Sequence, residues 1–282
     1  MQRLLLSLAV IVALGGGAIA STGAFFNDTE TSTGNTFAAG AINLTVDSTQ
    51  HYNNAVCVAN PNSPGTYYWQ LELNAVAQTD QYPVIGSPCD GTWAATDLGA
   101  QKFFNFADVK PGDKGENTVS LHIDNNPAWA CVNIKTTAND ENTYTQPEIT
   151  AGDVSSTTGE LAQNIHVFAW LDNATTSQAV PGDNIWQAGE PILQNVVALS
   201  DVNATTTLVL ADGLSGTPLP GGSTSYIGLG WCAGTLVTGP SGTWTCNGAA
   251  MDNKSQTDSA TVDVAFTVEQ ARNNAAFRCV KS

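Results

Sequence analysis

The chain has 282 residues, 9 Lys plus Arg against 25 Asp plus Glu, a formal net charge of −16 and an isoelectric point near 4.2. A surface of that sign repels phosphate backbones, which argues against nucleic acid as a partner, and it suits divalent cations or high salt. Charged residues make up only 12% of the chain, so the surface is a Thr/Asn/Gly coat with an acidic bias and not a dense carboxylate shell.

The N-terminus reads as an export signal. Gln2 and Arg3 form a thin positive start, Leu4 to Leu14 an apolar run, and Gly15 to Gly23 a stretch of small residues suited to a peptidase cleft. Ala18-Ile19-Ala20 permits cutting before Ser21, and Ser21-Thr22-Gly23 permits cutting before Ala24. The alternative is a retained transmembrane anchor, but the apolar run barely reaches bilayer length and ends in glycines. Residues 1–23 are therefore expected to be removed by a signal peptidase, with no stable membrane anchor after cleavage. About 258 residues remain, enough for one decorated β domain.

The mature chain then divides into an arm, residues 24–40, and a body, residues 41–282. In the arm, Ala24, Phe25 and Phe26 make an apolar tip, followed by the β-tolerant Thr29, Thr31 and Thr33 and a flexible Gly34. The body opens on a strand from Ala41 to Asp47, where Ile42, Leu44 and Val46 alternate with polar residues. A polar loop is expected from His51 to Gly65 and a strand from Tyr67 to Ala77. Lys102 to Ala107, with Phe103, Phe104 and Phe106, reads as a strand that leads into the turn signal Lys110-Pro111-Gly112-Asp113. Strands follow at Thr118 to Asp124 and Ala130 to Thr136, then a loop-rich, exposed insertion around 138–160.

Further along, Ile165 to Leu171 is apolar on both phases, which predicts two-sided burial or a subunit contact. Ile192 to Ala198, Thr205 to Leu210 and Tyr226 to Cys232 are further strands. Ala260 to Gln270 alternates most cleanly, with Val262, Val264, Phe266 and Val268 on one face. No amphipathic helix of three turns is visible. The expected fold is all-β, an antiparallel β-sandwich with long loops behind an N-terminal secretion helix and an extended arm.

Six cysteines, Cys57, Cys89, Cys131, Cys232, Cys246 and Cys279, suit an oxidising compartment and up to three disulfides. Cys232 and Cys246 flank a plausible hairpin and pair first on that ground; Cys279 is placed to tie the tail to the body. The absence of any C-x2-C spacing argues against zinc.

Three stretches carry a family resemblance: the leader with AFFNDTETSTGNTFAAGAINLTVD, DVKPGDKGENTVSLHIDN, and MDNKSQTDSATVDVAFTVEQARNN. Together they resemble the family of TasA and camelysin, secreted proteins whose leaders are handled by the signal peptidase SipW. The resemblance implies a jelly-roll body, a mature start at or near Ala24, and self-association into extracellular fibres of biofilm matrix. Assembly would proceed by donor-strand exchange, the residues from Ala24 to about Gly34 filling a groove in the next subunit. A short strand added to an open sheet edge gives head-to-tail, non-closing assembly, so the idea also has a physical basis. This chain departs from TasA in its six cysteines and in the Trp/Cys-bearing region Gly228 to Cys246.

Camelysin-like members have been classed as metalloproteases, which makes a camelysin-like metalloprotease a remote alternative. Such chemistry needs metal ligands and a base in fixed relation, for example H-E-x-x-H. His51, His122 and His166 are the only histidines, and none has that spacing. No catalytic residue and no organic cofactor is expected. Asp172, Asp183, Asn184 and Glu190 form a turn-rich acidic loop of the type that ligates structural calcium; solvated loop acids are the alternative. Sequons stand at Asn27, Asn43, Asn173, Asn203 and Asn253, with Asn173 and Asn203 the best-placed surface sites if the producing cell glycosylates. Seven tryptophans offer stacking surfaces to a sugar. A monomeric surface adhesive or carbohydrate-binding sandwich is therefore the competing function, although core packing explains most of these rings.

Overall fold

The structure is a computed structural model, and it describes residues 42–78, 80–173, 180–187, 189–203, 206–240 and 242–279. The leader and the arm, including Ala24, Phe25, Phe26, Thr29, Thr31 and Thr33, lie outside the described residues. Gly40–Ser282 forms one compact unit.

Its elements in chain order are β1 (Leu44–Tyr52), β2 (Ala55–Ala59), β3 (Tyr67–Leu71), β4 (Pro88–Cys89), β5 (Trp93–Thr96), β6 (Lys114–Ile123) and β7 (Ala128–Asp140). Two short helices follow, α1 (Gln146–Ala151) and α2 (Leu161–Asn164). The chain then forms β8 (Ile165–Leu171), β9 (Ile192–Ala198), β10 (Thr207–Ala211), β11 (Ser223–Ala233), β12 (Thr235–Thr238), β13 (Trp244–Asn247) and β14 (Ser259–Gln270). A large sheet in the order β4-β3-β2-β1-β6-β11-β8-β9, with β5 also on β1, faces a three-stranded sheet in the order β10-β7-β14. All pairings are antiparallel, so the all-β sandwich is the observed architecture.

The core lies between these sheets. Val46, Val119, Leu121 and Ile227 from the large sheet pack against Val132 and Leu208 from the small one. A second apolar layer covers the outside of the large sheet, where Phe168, Trp170 and Cys232 meet Leu236, Trp186 and Trp244. This accounts for the double apolar phase of β8: one face enters the sandwich and the other lies under the β12–β13 hairpin and the Trp186 loop. Gly228 and Gly230 stand opposite Trp170 and Phe168 in the β11–β8 register. A Cβ on either glycine would lie 2.0 Å and 2.2 Å, respectively, from the facing ring, so their missing side chains let the rings lie flat on the strand.

Three disulfides lock the body: Cys57–Cys89, Cys131–Cys279 and Cys232–Cys246. The last is the pairing the spacing suggested, and it fastens the β12–β13 hairpin to β11. Cys131–Cys279 ties the tail to the centre of the small sheet. Such crosslinks fit an oxidising, extracellular-type environment.

Several local expectations change. The stretch His51–Gly65 is not simply a loop. β1 continues through Tyr52, and Asn53 and Asn54, with φ of 44° and 64°, make a two-residue hairpin turn into β2. The strand expected to run to Ala77 ends at Leu71. Lys102 to Ala107 is not a strand: the Phe103 carbonyl accepts from the Gln50 side chain at 2.7 Å and from Asn117 Nδ2 at 3.0 Å. Two buried side-chain amides, Gln50 and Asn117, thus satisfy a backbone group that a ladder would otherwise serve, while Phe103 still enters the core. The insertion around 138–160 is more ordered than an exposed loop. It contains α1, started by a Thr145/Glu148 capping box and ended by Gly152 in the left-handed region, and both Glu148 and Asp153 are buried.

Candidate functional site

The acidic loop after β8 is a strap across the outer face of the large sheet. Asp172 Oδ2 accepts from the Asn184 amide at 3.1 Å, and the Thr118 hydroxyl donates to Asn184 Oδ1 at 2.8 Å. Glu190 Oε2 takes the Gln187 amide and Asp183 Oδ2 takes the Gln187 side chain, both at 2.8 Å. The four residues are thus neighbours along one loop, yet much of their bonding capacity goes to folding that loop. Burial, reinforced by the Glu190 charge, pushes the Asp172 carboxyl up to about 7.

A tighter acidic arrangement was missed in the sequence. Glu141 follows β7, Glu148 sits in α1, Asp153 follows the Gly152 cap, Glu160 precedes α2, and Asp258 precedes β14. Glu141, Glu148 and Asp258 bring carboxylate oxygens within 4.8 Å of one another, and Glu141, Asp153 and Glu160 do the same. Among the described residues these are the two such triads, and Glu141 belongs to both.

Backbone and hydroxyl donors hold the ring in place. Asp258 Oδ2 accepts from the amides of Glu160 and Leu161 at 2.6 and 3.1 Å. Asp153 Oδ1 accepts from the Ser155 amide at 2.9 Å. Glu148 accepts from the Thr145 amide and, at 3.1 Å, from the Thr257 hydroxyl. Gly159 permits the close approach, since a Cβ there would lie 2.6 Å from Asp258 Cγ. Both Glu141 oxygens, Asp153 Oδ2, Glu160 Oε2 and Asp258 Oδ1 are buried and receive no donor from backbone, hydroxyl or amide groups; Glu141 can bond Asp153 and Asp258 only through a proton shared between carboxyls. Burial, then the Asp258 charge, a hydrogen bond shared with Asp153 and the charges of Asp153 and Glu148 push Glu141 up to about 7, and burial with neighbouring acids raises Glu160 and Asp258. The signal was faint in the sequence because four of the acids are scattered through 20 residues of loop and short helix, and the fifth is over 90 residues away.

A second feature is the edge of β14. This 12-residue strand pairs with β7 on one side and, among the described residues, has no strand partner on the other. Val262, Val264, Phe266 and Val268, expected to face inward, do so but are only half-buried, while Asp263, Thr267 and Glu269 are exposed. Phe103 touches Phe266 from below, with ring centroids 5.9 Å apart. Among the described residues, the Phe103–Phe106 segment gives no backbone hydrogen bond to β14. Among the described residues, the edge therefore leaves strand backbone without a ladder partner beside a half-buried apolar row.

The other sequence candidates lie apart. His51 bonds Glu72 at 2.8 Å, His122 bonds Asp47 at 2.6 Å and Thr224 at 3.0 Å, and His166 bonds the Gly234 carbonyl at 2.7 Å. The histidines are half-buried beside polar neighbours, and none joins a carboxylate triad. Four tryptophans, Trp69, Trp129, Trp170 and Trp231, are buried; Trp93, Trp186 and Trp244 are half-buried. Of the sequons, Asn43, Asn203 and Asn253 are exposed, whereas Asn173 is half-buried and accepts the Tyr226 amide at 2.8 Å, which makes it the poorer surface site. No described helix is long and apolar enough to cross a membrane. The chain matches no protein-family model and no curated protein.

Proposed function

We propose that this chain is a secreted structural subunit of an extracellular fibre or biofilm matrix, non-catalytic, and assembled by donor-strand exchange. The observation that carries this reading is the edge of β14, which has no strand partner among the described residues. Edge strands normally carry protection such as Lys, Pro, a bulge or a cover, because free amides and carbonyls recruit other strands. β14 contains neither Lys nor Pro; its protection is confined to a bulge in the β7 ladder near Thr261 and Val262 and to the exposed Asp263 and Glu269, and its apolar row is half-buried. An added strand would satisfy the backbone and cover that row at once.

The arm from Ala24 to Gly34 is comparable in length to β14 and has β-tolerant threonines behind an aromatic tip. Ile42, where the described chain begins, shares an apolar cluster with Val268 of β14. A strand delivered from the next subunit makes a heterologous contact that repeats without closing, which produces a filament. The resemblance to the TasA and camelysin family supports the same arrangement and a jelly-roll description of the sandwich. Export fits the three disulfides and the apolar leader.

The test compares mature protein starting at Ala24 with a version lacking Ala24 to Gly34 by negative-stain electron microscopy and sedimentation. Filaments formed only by the full arm support the proposal. Filaments that persist without the arm, with the body folded, refute donor exchange.

A further inference from the structure

Within the ring of five carboxylates, Glu141, Asp153, Glu160 and Asp258 keep buried oxygens that receive no donor from the rest of the fold, and this costs free energy in the protein alone. Taking a carboxylate out of water without a partner is unfavourable, and placing a second beside it adds repulsion. The three ion pairs among the described residues join His51 to Glu72, Lys110 to Asp108 and His122 to Asp47, so none neutralises this ring. Lys254 acts on it through its charge at Glu160 without forming an ion pair. Asp153 is the decisive member: it is only 7% exposed, its Oδ1 is anchored by the Ser155 amide, and its Oδ2 meets no donor except a proton it could share with Glu141, at the point where the Glu141 and Glu160 oxygens converge. The fold therefore invests hydrogen bonds in orienting carboxylates whose remaining oxygens point at one another.

We propose that Glu141, Glu148, Asp153, Glu160 and Asp258 form a calcium site, with Glu141 as the ligand common to both triads. The donor set is all hard oxygen, without histidine or thiolate, which disfavours zinc and copper. Calcium accepts six to eight oxygens at about 2.3–2.6 Å in irregular, loop-built geometry, whereas magnesium keeps several waters and takes one or two carboxylates. Oxygens within 4.8 Å of one another are compatible with that calcium radius. The site joins the end of β7, both short helices and the turn entering β14, so bound calcium would fasten the start of that strand. It lies apart from the Asp172 strap and does not depend on the fibre reading.

The experiment uses the arm-deleted mature protein, stripped with chelator and titrated with calcium chloride at pH 7.5, followed by calorimetry and by melting temperature. Expected are saturable binding, a rise in Tm of several degrees, and a weaker response to magnesium at equal concentration. Glu141→Gln should weaken calcium affinity at least tenfold and Asp153→Asn comparably, while Asp172→Asn leaves it unchanged. Glu141→Gln should also raise the Tm of the stripped protein, because it removes the shared repelling charge. That rise shows that the variant is folded. Absence of a calcium-dependent shift, or binding lost in Asp172→Asn and kept in Glu141→Gln, would overturn the assignment and leave a cluster held by shared protons.

Discussion

Replacing Cys131 and Cys279 together by alanine removes the crosslink that spans 148 residues, whereas replacing Cys232 and Cys246 removes one that spans 14. In the chain-entropy description, closing a loop restricts the unfolded chain in proportion to the logarithm of loop length, so the two crosslinks contribute about 5 and about 3 kcal/mol, respectively. The difference, about 2 kcal/mol, is the sturdier quantity, because one partner of each pair is buried to a similar degree, Cys131 at 4% and Cys232 at 0% exposure. Both substitutions therefore lose comparable packing. The tail also keeps contacts that survive the mutation: Trp129 Nε1 donates to the Asn274 carbonyl at 2.7 Å, and the Gly213 amide donates to Phe277 at 3.0 Å. Urea unfolding of the two double variants, in chelator and on the arm-deleted protein, measures the difference. The Cys131/Cys279 variant should be the less stable and should also show the larger rise in m-value, since its unfolded state expands more. Equal stabilities, or the reverse order with unchanged m-values, would refute the reasoning and point to native-state contacts as the main effect of these bridges.

Two more outcomes are expected. Gly228→Ala places a methyl group 2.0 Å from Trp170 and should cost about 1–3 kcal/mol as overpacking; combined with Trp170→Leu, the losses should be less than additive, and simple additivity in urea melts would count against the close contact. The second outcome concerns pH. Burial raises Glu141 and Asp172 to about 7 and Glu116 to about 8. The folded protein then binds more protons than the unfolded chain between the ordinary carboxylate range and these values, so the stability is fully present below about 4 and falls as pH rises towards about 8. Chelated protein should melt at higher temperature at pH 5 than at pH 8, and a flat or opposite profile would contradict the burial of these groups.

How much of this was legible depends on how local each cause is. β14 could be read directly, because alternation along one strand follows from the pleat alone and Val262, Val264, Phe266 and Val268 face one way in any sheet. The Cys232–Cys246 bridge was equally visible, since a hairpin places residues of that spacing side by side. The Asn53-Asn54 turn was there to be read as well: Asn tolerates positive φ, but a polar stretch on either side disguised the hairpin as a loop.

Phe103 shows the opposite case. Its neighbours have strand composition, but Gln50 and Asn117, which are 53 and 14 residues away, take its carbonyl, and only their arrival in the core decides that the segment stays irregular. The acidic ring is of the same kind. Glu141, Asp153 and Asp258 look like ordinary surface acids until β7, the two short helices and the entry to β14 are packed together. The sequence by itself determined the cleanly alternating strands and the local bridge, because these rest on periodicity and short-range closure; the export signal stays an expectation from sequence. Tertiary structure alone decided which strand ends the small sheet among the described residues and which carboxylates lose their water, since burial and strand pairing are set by partners distant in the chain.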